Sequence, residues 1–173
     1  MGCGFGHSTV LMAQAYPRSR FHGFDFHPAS VDAARRLAEE AGVADRVTFE
    51  VAAADEFPGG GYDLVTFFDC LHDLGDPGAA LRQAEKALAP DGSCLVVEPN
   101  ASAEPGANIH PIGRSFASTS AVLCLPTALA QNGLHALGNH AGRALEGIAA
   151  EAGLSRWRLA VETPTNRVHD VKR

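Results

Sequence analysis

Apolar and polar positions along this chain fall into blocks whose period switches between the helical and the extended. Residues 7–16 (HSTVLMAQAY) predict a helix that Pro17 ends, and 21–26 (FHGFDF) a short apolar strand stopping at Asp25. Pro28 suits the first turn of a second helix, in which 29–41 sets Val31, Ala34 and Leu37 on one face before Gly42 stops it. Residues 46–53 (RVTFEVAA) predict a second strand, followed by the turn-rich Pro58-Gly59-Gly60-Gly61. The nearly continuous apolar run 62–70 (YDLVTFFDC) is what a strand buried on both faces of a parallel sheet requires. A polar turn at 72–77 (HDLGDP), a helix over 78–89, a break at Pro90-Asp91-Gly92 and a strand at 93–98 (SCLVVE) continue the alternation.

That alternation breaks at 100–140, where Gly, Pro, Asn and Ser dominate around a helix expected at 115–124. A helix near 141–152 ends at Gly153, and strands 156–162 and 166–171 flank Thr163-Pro164-Thr165 as a closing hairpin. The pattern predicts an α/β, Rossmann-like fold with a mostly parallel sheet, helices on both faces and a C-terminal antiparallel hairpin. The expectation is one domain over 1–173, with 100–140 as a lid-like insertion. Its apolar residues Ile109, Ile112, Phe116, Val122 and Leu123 either close on a substrate or pack the insertion down.

At 173 residues with 46% hydrophobic positions, the chain is large enough for a proper core. The net charge of −6 and the scattered basic residues argue against a nucleic-acid-binding face. No run approaches the roughly 18 apolar residues that span a bilayer. Cys3, Cys70, Cys94 and Cys124 form no Cys-x-x-Cys pair, so no zinc knuckle or redox motif is expected, and reduced thiols in a cytoplasmic protein are.

The candidate chemistry begins with Gly2, Gly4 and Gly6 ahead of the first helix, a loop in which glycine permits a tight turn and close backbone approach to a ligand. A dinucleotide loop would want its third glycine where His7 stands. Asp25 ends the next strand, where a carboxylate either accepts from two ribose hydroxyls or caps the following helix. Ala54 and Asp55 follow the strand after that, where a carboxylate either meets the amine of adenine or sits solvated. His72, between Asp69 and Asp73, lies beyond the carboxyl end of a strand, and its intrinsic pKa suits a general base; the alternative is a hydrogen bond within the turn. Asp69, His72 and Asp73 show no further ligand in the sequence, so no metal is expected. Asp73, His110 and Arg114 are candidate substrate contacts. His22, His27, His135, His140 and His169 have no constellation around them.

Together, GCGFG at 2–6, Asp25, Ala54-Asp55, YDLVTFFDCLHDL at 62–74 and LAPDGSCLVVEP at 88–99 resemble the class I S-adenosylmethionine-dependent methyltransferases. HDLGDP and the segment 108–131 resemble, more narrowly, bacterial small-molecule methyltransferases that usually carry a winged-helix domain ahead of the catalytic one. The resemblance implies S-adenosyl-L-methionine as cofactor and a small organic methyl acceptor as substrate. It puts Gly2, Gly4 and Gly6 under the cofactor's methionine moiety, Asp25 on the ribose, Asp55 with Ala54 at the adenine, and Asp69 near the amino-acid end. Members of the family have a first strand ending in an acid just before the loop; here Met1 stands in that place. The expectation is therefore a chain truncated at its N-terminus that binds cofactor weakly or not at all as written, with its true start upstream; a degraded gene, or a partner segment filling the gap, are the alternatives. Two rivals remain: a non-catalytic remnant or dimerisation module of the same fold, and a nicotinamide-dependent oxidoreductase, which the loop spacing and the terminal hairpin count against.

Overall fold

The computed structural model describes residues 1–133, 137–138 and 142–173. His135, His140 and the end of the expected insertion lie outside the described residues. The chain packs as two compact units, Met1–Pro58 and Gly59–Arg173.

In the first unit, helix α1 (His7–Ala15) follows the glycine loop, and β1 (Phe21–Asp25), α2 (Pro28–Glu40) and β2 (Val47–Val51) complete a β-α-β arrangement. Pro28 occupies the first turn of α2, where its missing N–H costs no hydrogen bond. β1 and β2 pair in parallel, Phe21 opposite Val47 and Asp25 opposite Val51. Val31, Ala34 and Ala38 recur at helical spacing on α2 and bury against Val10, Val47 and Phe49.

The second unit holds β3 (Tyr62–Phe68), a 3₁₀ turn at Leu71–Asp73, α3 (Pro77–Ala87) and β4 (Leu88–Pro99), then a helical segment. The unit closes with α6 (Gly142–Glu151), β5 (Arg156–Glu162) and β6 (Asn166–Lys172), after α4 and α5 defined below. Its sheet runs β3-β4-β6-β5. β3 and β4 are parallel, and β6 is antiparallel to both β4 and β5, the closing hairpin expected from the sequence. β4 starts earlier than expected because Leu88 already pairs with Tyr62, and a register shift before Leu64 absorbs the Pro90-Asp91-Gly92 break. β3 departs from the expectation of burial on both faces: Val65 and Phe67 are buried, but Leu64 is 48% exposed. β3 stands at the edge of its sheet, so its second face is not fully covered.

The helix expected at 115–124 is part of a longer helical run. α4 (Pro111–Thr119) begins at a proline suited to its first turn, a π-turn spans Ser120–Cys124, and α5 (Leu125–Ala130) carries on. Pro126 explains the π-turn: it has no N–H to give and its ring crowds the carbonyl one turn back, so the preceding turn widens instead of ending. The buried positions of the run are small, Gly113, Ser120, Cys124 and Ala128, while Ile109, Val122, Leu123 and Leu129 stand largely exposed.

Candidate functional site

In the first unit, Gly2, Gly4 and Gly6 all have positive φ (59°, 51° and 81°), the left-handed conformation that side-chain-bearing residues resist. Gly6 also sits where a Cβ would lie 2.7 Å from the Phe49 ring and 2.8 Å from Ala34 Cβ, so the loop lies flat on the core. Asp25 is 9% exposed and ties this loop to the strand end. Its Oδ2 accepts from Gly4 N–H at 2.9 Å and its Oδ1 from His27 N–H at 2.9 Å. The helix-cap reading of Asp25 is corrected: α2 is capped at His27 without a side-chain hydrogen bond, and Asp25 instead bonds the N–H of His27 ahead of the helix and the N–H of Gly4 in the glycine loop. Each oxygen keeps a second lone pair. Ala54 and the exposed Asp55 follow β2, and since Ala52 N–H donates to Asp25 O at 3.0 Å, Asp25 and Asp55 lie at the carboxyl edge of one parallel pair. His7 opens α1 and is exposed.

In the second unit, the 3₁₀ turn after β3 carries His72 inward. The ring is 3% exposed, with Nδ1 2.5 Å from Glu98 Oε2 and Nε2 3.2 Å from Asp73 Oδ1. Burial works against a charged ring here, but the hydrogen bond and charge of Glu98, with Asp73 and Asp69, outweigh it and raise the His72 pKa above its ordinary value. Burial likewise raises the Glu98 carboxyl, with His72 opposing. Glu98 was missed in the sequence. Its signal was its place at the carboxyl end of β4, beside Asp69 at the end of β3, the edge where ligands of parallel sheets gather.

Asp69 adopts φ 48°, unusual for a residue with a side chain. Its backbone N–H donates to Val97 O at 2.8 Å, and its two carboxylate oxygens accept from Asn166 Nδ2 at 2.9 and 3.0 Å. Burial raises the Asp69 pKa, with the Asn166 bonds and His72 opposing. Asn166, also missed, is aimed by the hairpin bend, in which Thr165 Oγ1 donates to Asn166 Oδ1 at 2.9 Å.

The helical run brings Cys124 to this cluster: His72, Asp73 and Cys124 offer ligand atoms all within 4.8 Å of one another. Burial, then the hydrogen bond and charge of Asp73, push the Cys124 thiol up to about 12. Gln131 fastens the end of the run by donating to Asp73 O at 3.0 Å. His110 and Arg114 are not brought to the cluster by any described hydrogen bond or ion pair; the His110 Nδ1 instead accepts from Gly113 N–H at 3.3 Å and caps α4, and Arg114 is exposed. Among the described residues no helix is long and apolar enough to cross a membrane.

Known proteins resemble this chain in sequence and fold. Residues 1–145 match the family described as Methyltransferase domain. Trans-aconitate 2-methyltransferase of Methylobacterium radiotolerans is 33% identical over 169 residues, 92% of this chain and 59% of that protein. An O-methyltransferase family protein of Burkholderia thailandensis superposes with a TM-score of 0.76 at 19% identity, over 99% of this chain and 49% of that one. An O-methyltransferase from neocarzinostatin biosynthesis, solved with S-adenosyl-L-homocysteine and 1,4-dihydroxy-2-naphthoic acid, does so with a TM-score of 0.72 at 20% identity, over 99% and 47%. The chain thus spans about half the length of the proteins it matches, and the α/β fold expected from its sequence is theirs.

Proposed function

We propose that this chain, which belongs to the Methyltransferase domain family, serves methyl transfer from S-adenosylmethionine to a hydroxyl or carboxylate of a small organic acceptor. The observation that carries this reading is the glycine loop held to Asp25: three left-handed glycines, a Gly4 N–H bonded to Oδ2, and a helix N-terminus directly behind. That donor set fits the cofactor. Free backbone N–H groups at the start of α1 suit a carboxylate, and the remaining lone pairs of Asp25 suit ribose hydroxyls.

When bound, the cofactor supplies a methyl group on a positively charged sulfur, which leaves for a nucleophile without help from a metal or acid. The chain's own work is to hold the parts and, for a hydroxyl acceptor, to take a proton. Gly2, Gly4, Gly6, Asp25 and the Ala54-Asp55 turn bind; Asp69, aimed by Asn166, holds the positive amino-acid end. His72 is the candidate base. Glu98 fixes its Nδ1 and strengthens the ring as a proton acceptor, leaving Nε2 to exchange the proton on the side of the part-exposed Asp73. His110, exposed at the cap of α4, and Arg114, exposed on that helix, are candidate acceptor contacts. Oxygen is supported by the solved neighbours, among them the O-methyltransferase with bound 1,4-dihydroxy-2-naphthoic acid, and a carboxylic acid acceptor by the trans-aconitate 2-methyltransferase.

Calorimetry with S-adenosylmethionine, S-adenosylhomocysteine and a nicotinamide dinucleotide tests the reading. Binding of the first two in preference to the dinucleotide, weak in keeping with the expectation for a chain without the first strand and lost in Asp25→Ala, is the expected result, followed by transfer of labelled methyl to hydroxylated aromatic or carboxylic acids. Binding of the dinucleotide alone, or of none of the three by folded protein, would overturn it.

A further inference from the structure

We propose that the face of the four-stranded sheet turned away from α3 and α6 is a docking surface for an amphipathic helix of a partner protein, with carboxylates at one end of that helix. β5 runs parallel to β4, since both are antiparallel to β6, so β3-α3-β4 and β4-α6-β5 are crossovers in one direction across the sheet. Right-handed crossovers in one direction place their helices on one face, so neither helix covers the other. Burial agrees. Val65, Phe67, Cys94, Val96 and Val171 share the covered face by register and are at most 6% exposed. The residues between them point the other way and are half-buried or exposed.

A sheet face left to water is ordinarily polar. This one is apolar across all four strands at one end: Phe68 stands opposite Val97, Val97 opposite Val168, and Val168 opposite Val161. Val161 reaches this face because the register shift after Leu159 reverses the alternation of β5, a bulge that re-aims a side chain. Leu95 and Leu64 extend the patch along β4 and β3, and Val161 and Leu64 are 53% and 48% exposed. A contiguous apolar patch rimmed by polar groups marks a place where another molecule binds.

The charges say what kind. Arg156 and Lys172 stand directly opposite each other at the far end of the hairpin. Like charges so placed repel, and among the described residues neither joins an ion pair. Arg158, next along, is neutralised by Asp170 at 2.9 Å. Three cations against one carboxylate leave this face positive on a chain of net charge −6. Its occupant therefore brings carboxylates to Arg156 and Lys172 and apolar side chains to the other end.

Size selects a helix over a second copy of the chain. Seven-residue strands at about 3.3 Å per residue, four of them about 4.8 Å apart, give a footprint of about 440 Å². A stable interface between two folded chains takes about 800 Å² from each. A helix of about 14 residues, about 21 Å long and about 10 Å wide, fits along the strands. A lipid surface fits less well, because Phe68, Leu95, Val97 and Val168 are half-buried between their neighbours and do not project into an acyl layer.

Fluorescence anisotropy tests the proposal. The probes are a labelled helical peptide with leucines at helical spacing and glutamates in its last turn, and a counterpart with lysines in place of the glutamates. The acidic peptide is expected to bind about tenfold more tightly than the basic one. Arg156→Glu combined with Lys172→Glu should reverse that order, and Val161→Asp should weaken both; Arg36→Glu, exposed on α2, should change nothing. No binding of the acidic peptide by the wild type, equal binding of the two peptides, or binding unaffected by Val161→Asp overturns the proposal. So does a dimer in sedimentation that Val161→Asp dissolves, which gives the face to a second copy. Flotation with phosphatidylserine vesicles without peptide binding overturns it too and gives the face to lipid. Because the decisive readings are on the wild type, a poorly folding variant does not rescue the proposal. None of these residues is assigned to methyl transfer, so failure of either reading leaves the other standing.

Discussion

Nδ1 of His72 stands 2.5 Å from Oε2 of Glu98, so the turn after β3 and the end of β4 are joined by one buried charged contact. Neither side chain is more than 4% exposed. Removing one partner of such a pair leaves the other buried and uncompensated, which costs about 3–5 kcal/mol. Glu98→Ala is therefore expected to lower stability by that amount in urea denaturation, and Glu98→Gln, which keeps the shape and a hydrogen bond, by clearly less. Equal losses for the two variants would show that the charge on Glu98 contributes nothing.

Asp25 accepts hydrogen bonds from two backbone N–H groups, those of Gly4 and His27. A hydrogen bond to a charged group contributes about 1.5–3 kcal/mol, and partial relaxation of the loop recovers some of the loss, so Asp25→Ala should cost about 2–4 kcal/mol. Amide exchange at Gly4 and His27 should accelerate in the variant ahead of the rest of the unit. Unchanged protection at both amides would contradict the role given to Asp25.

Gly6 combines a φ of 81° with contact against Phe49 and Ala34. The left-handed conformation costs a residue with a Cβ about 1–2 kcal/mol, and overpacking adds about 1–3. Gly6→Ala should lose about 2–4 kcal/mol, read from a chemical melt. By contrast, Gly4→Ala meets no atom within 4 Å and should show the conformational cost alone.

His169 supplies a pH dependence. Its ring packs on Trp157 with centroids 4.7 Å apart, and its Nδ1 is buried with no hydrogen-bond partner. Burial, then the charge of Arg167, lower its pKa, with Glu146 opposing. A histidine that resists protonation when folded takes up its proton more readily when unfolded. Between its ordinary value and its lower folded one the unfolded state thus binds more protons, and stability rises with pH. Its contribution is complete above an ordinary pKa of 6.5 and is lost as the pH falls below it. His169→Phe should flatten the stability profile in that window; a profile as steep as the wild type would assign the acid sensitivity to other groups.

The order of elements was legible in the chain because its signals are local. Pro28, Gly42 and Gly153 mark helix ends through their own dihedral limits, and Gly2, Gly4 and Gly6 announce a left-handed loop whatever surrounds them. The place of Asp25 at a strand end was legible too, but its bonds to Gly4 and His27 were not, because they depend on how the loop lies against that strand. Nor were Glu98 on His72, Asn166 on Asp69 and Cys124 beside Asp73. Each joins positions far apart in sequence, and only strand register or helix docking brings them within bonding distance. The helix past Pro126 escaped for a related reason: a proline reads as a stop, and only the packing of Gly113, Ser120, Cys124 and Ala128 holds the run together across the π-turn. Dihedral preference and hydrophobic period thus settled what each segment is, while the pairing of buried charges awaited the tertiary contacts, because a carboxylate in a sequence carries no sign of which cation will neutralise it.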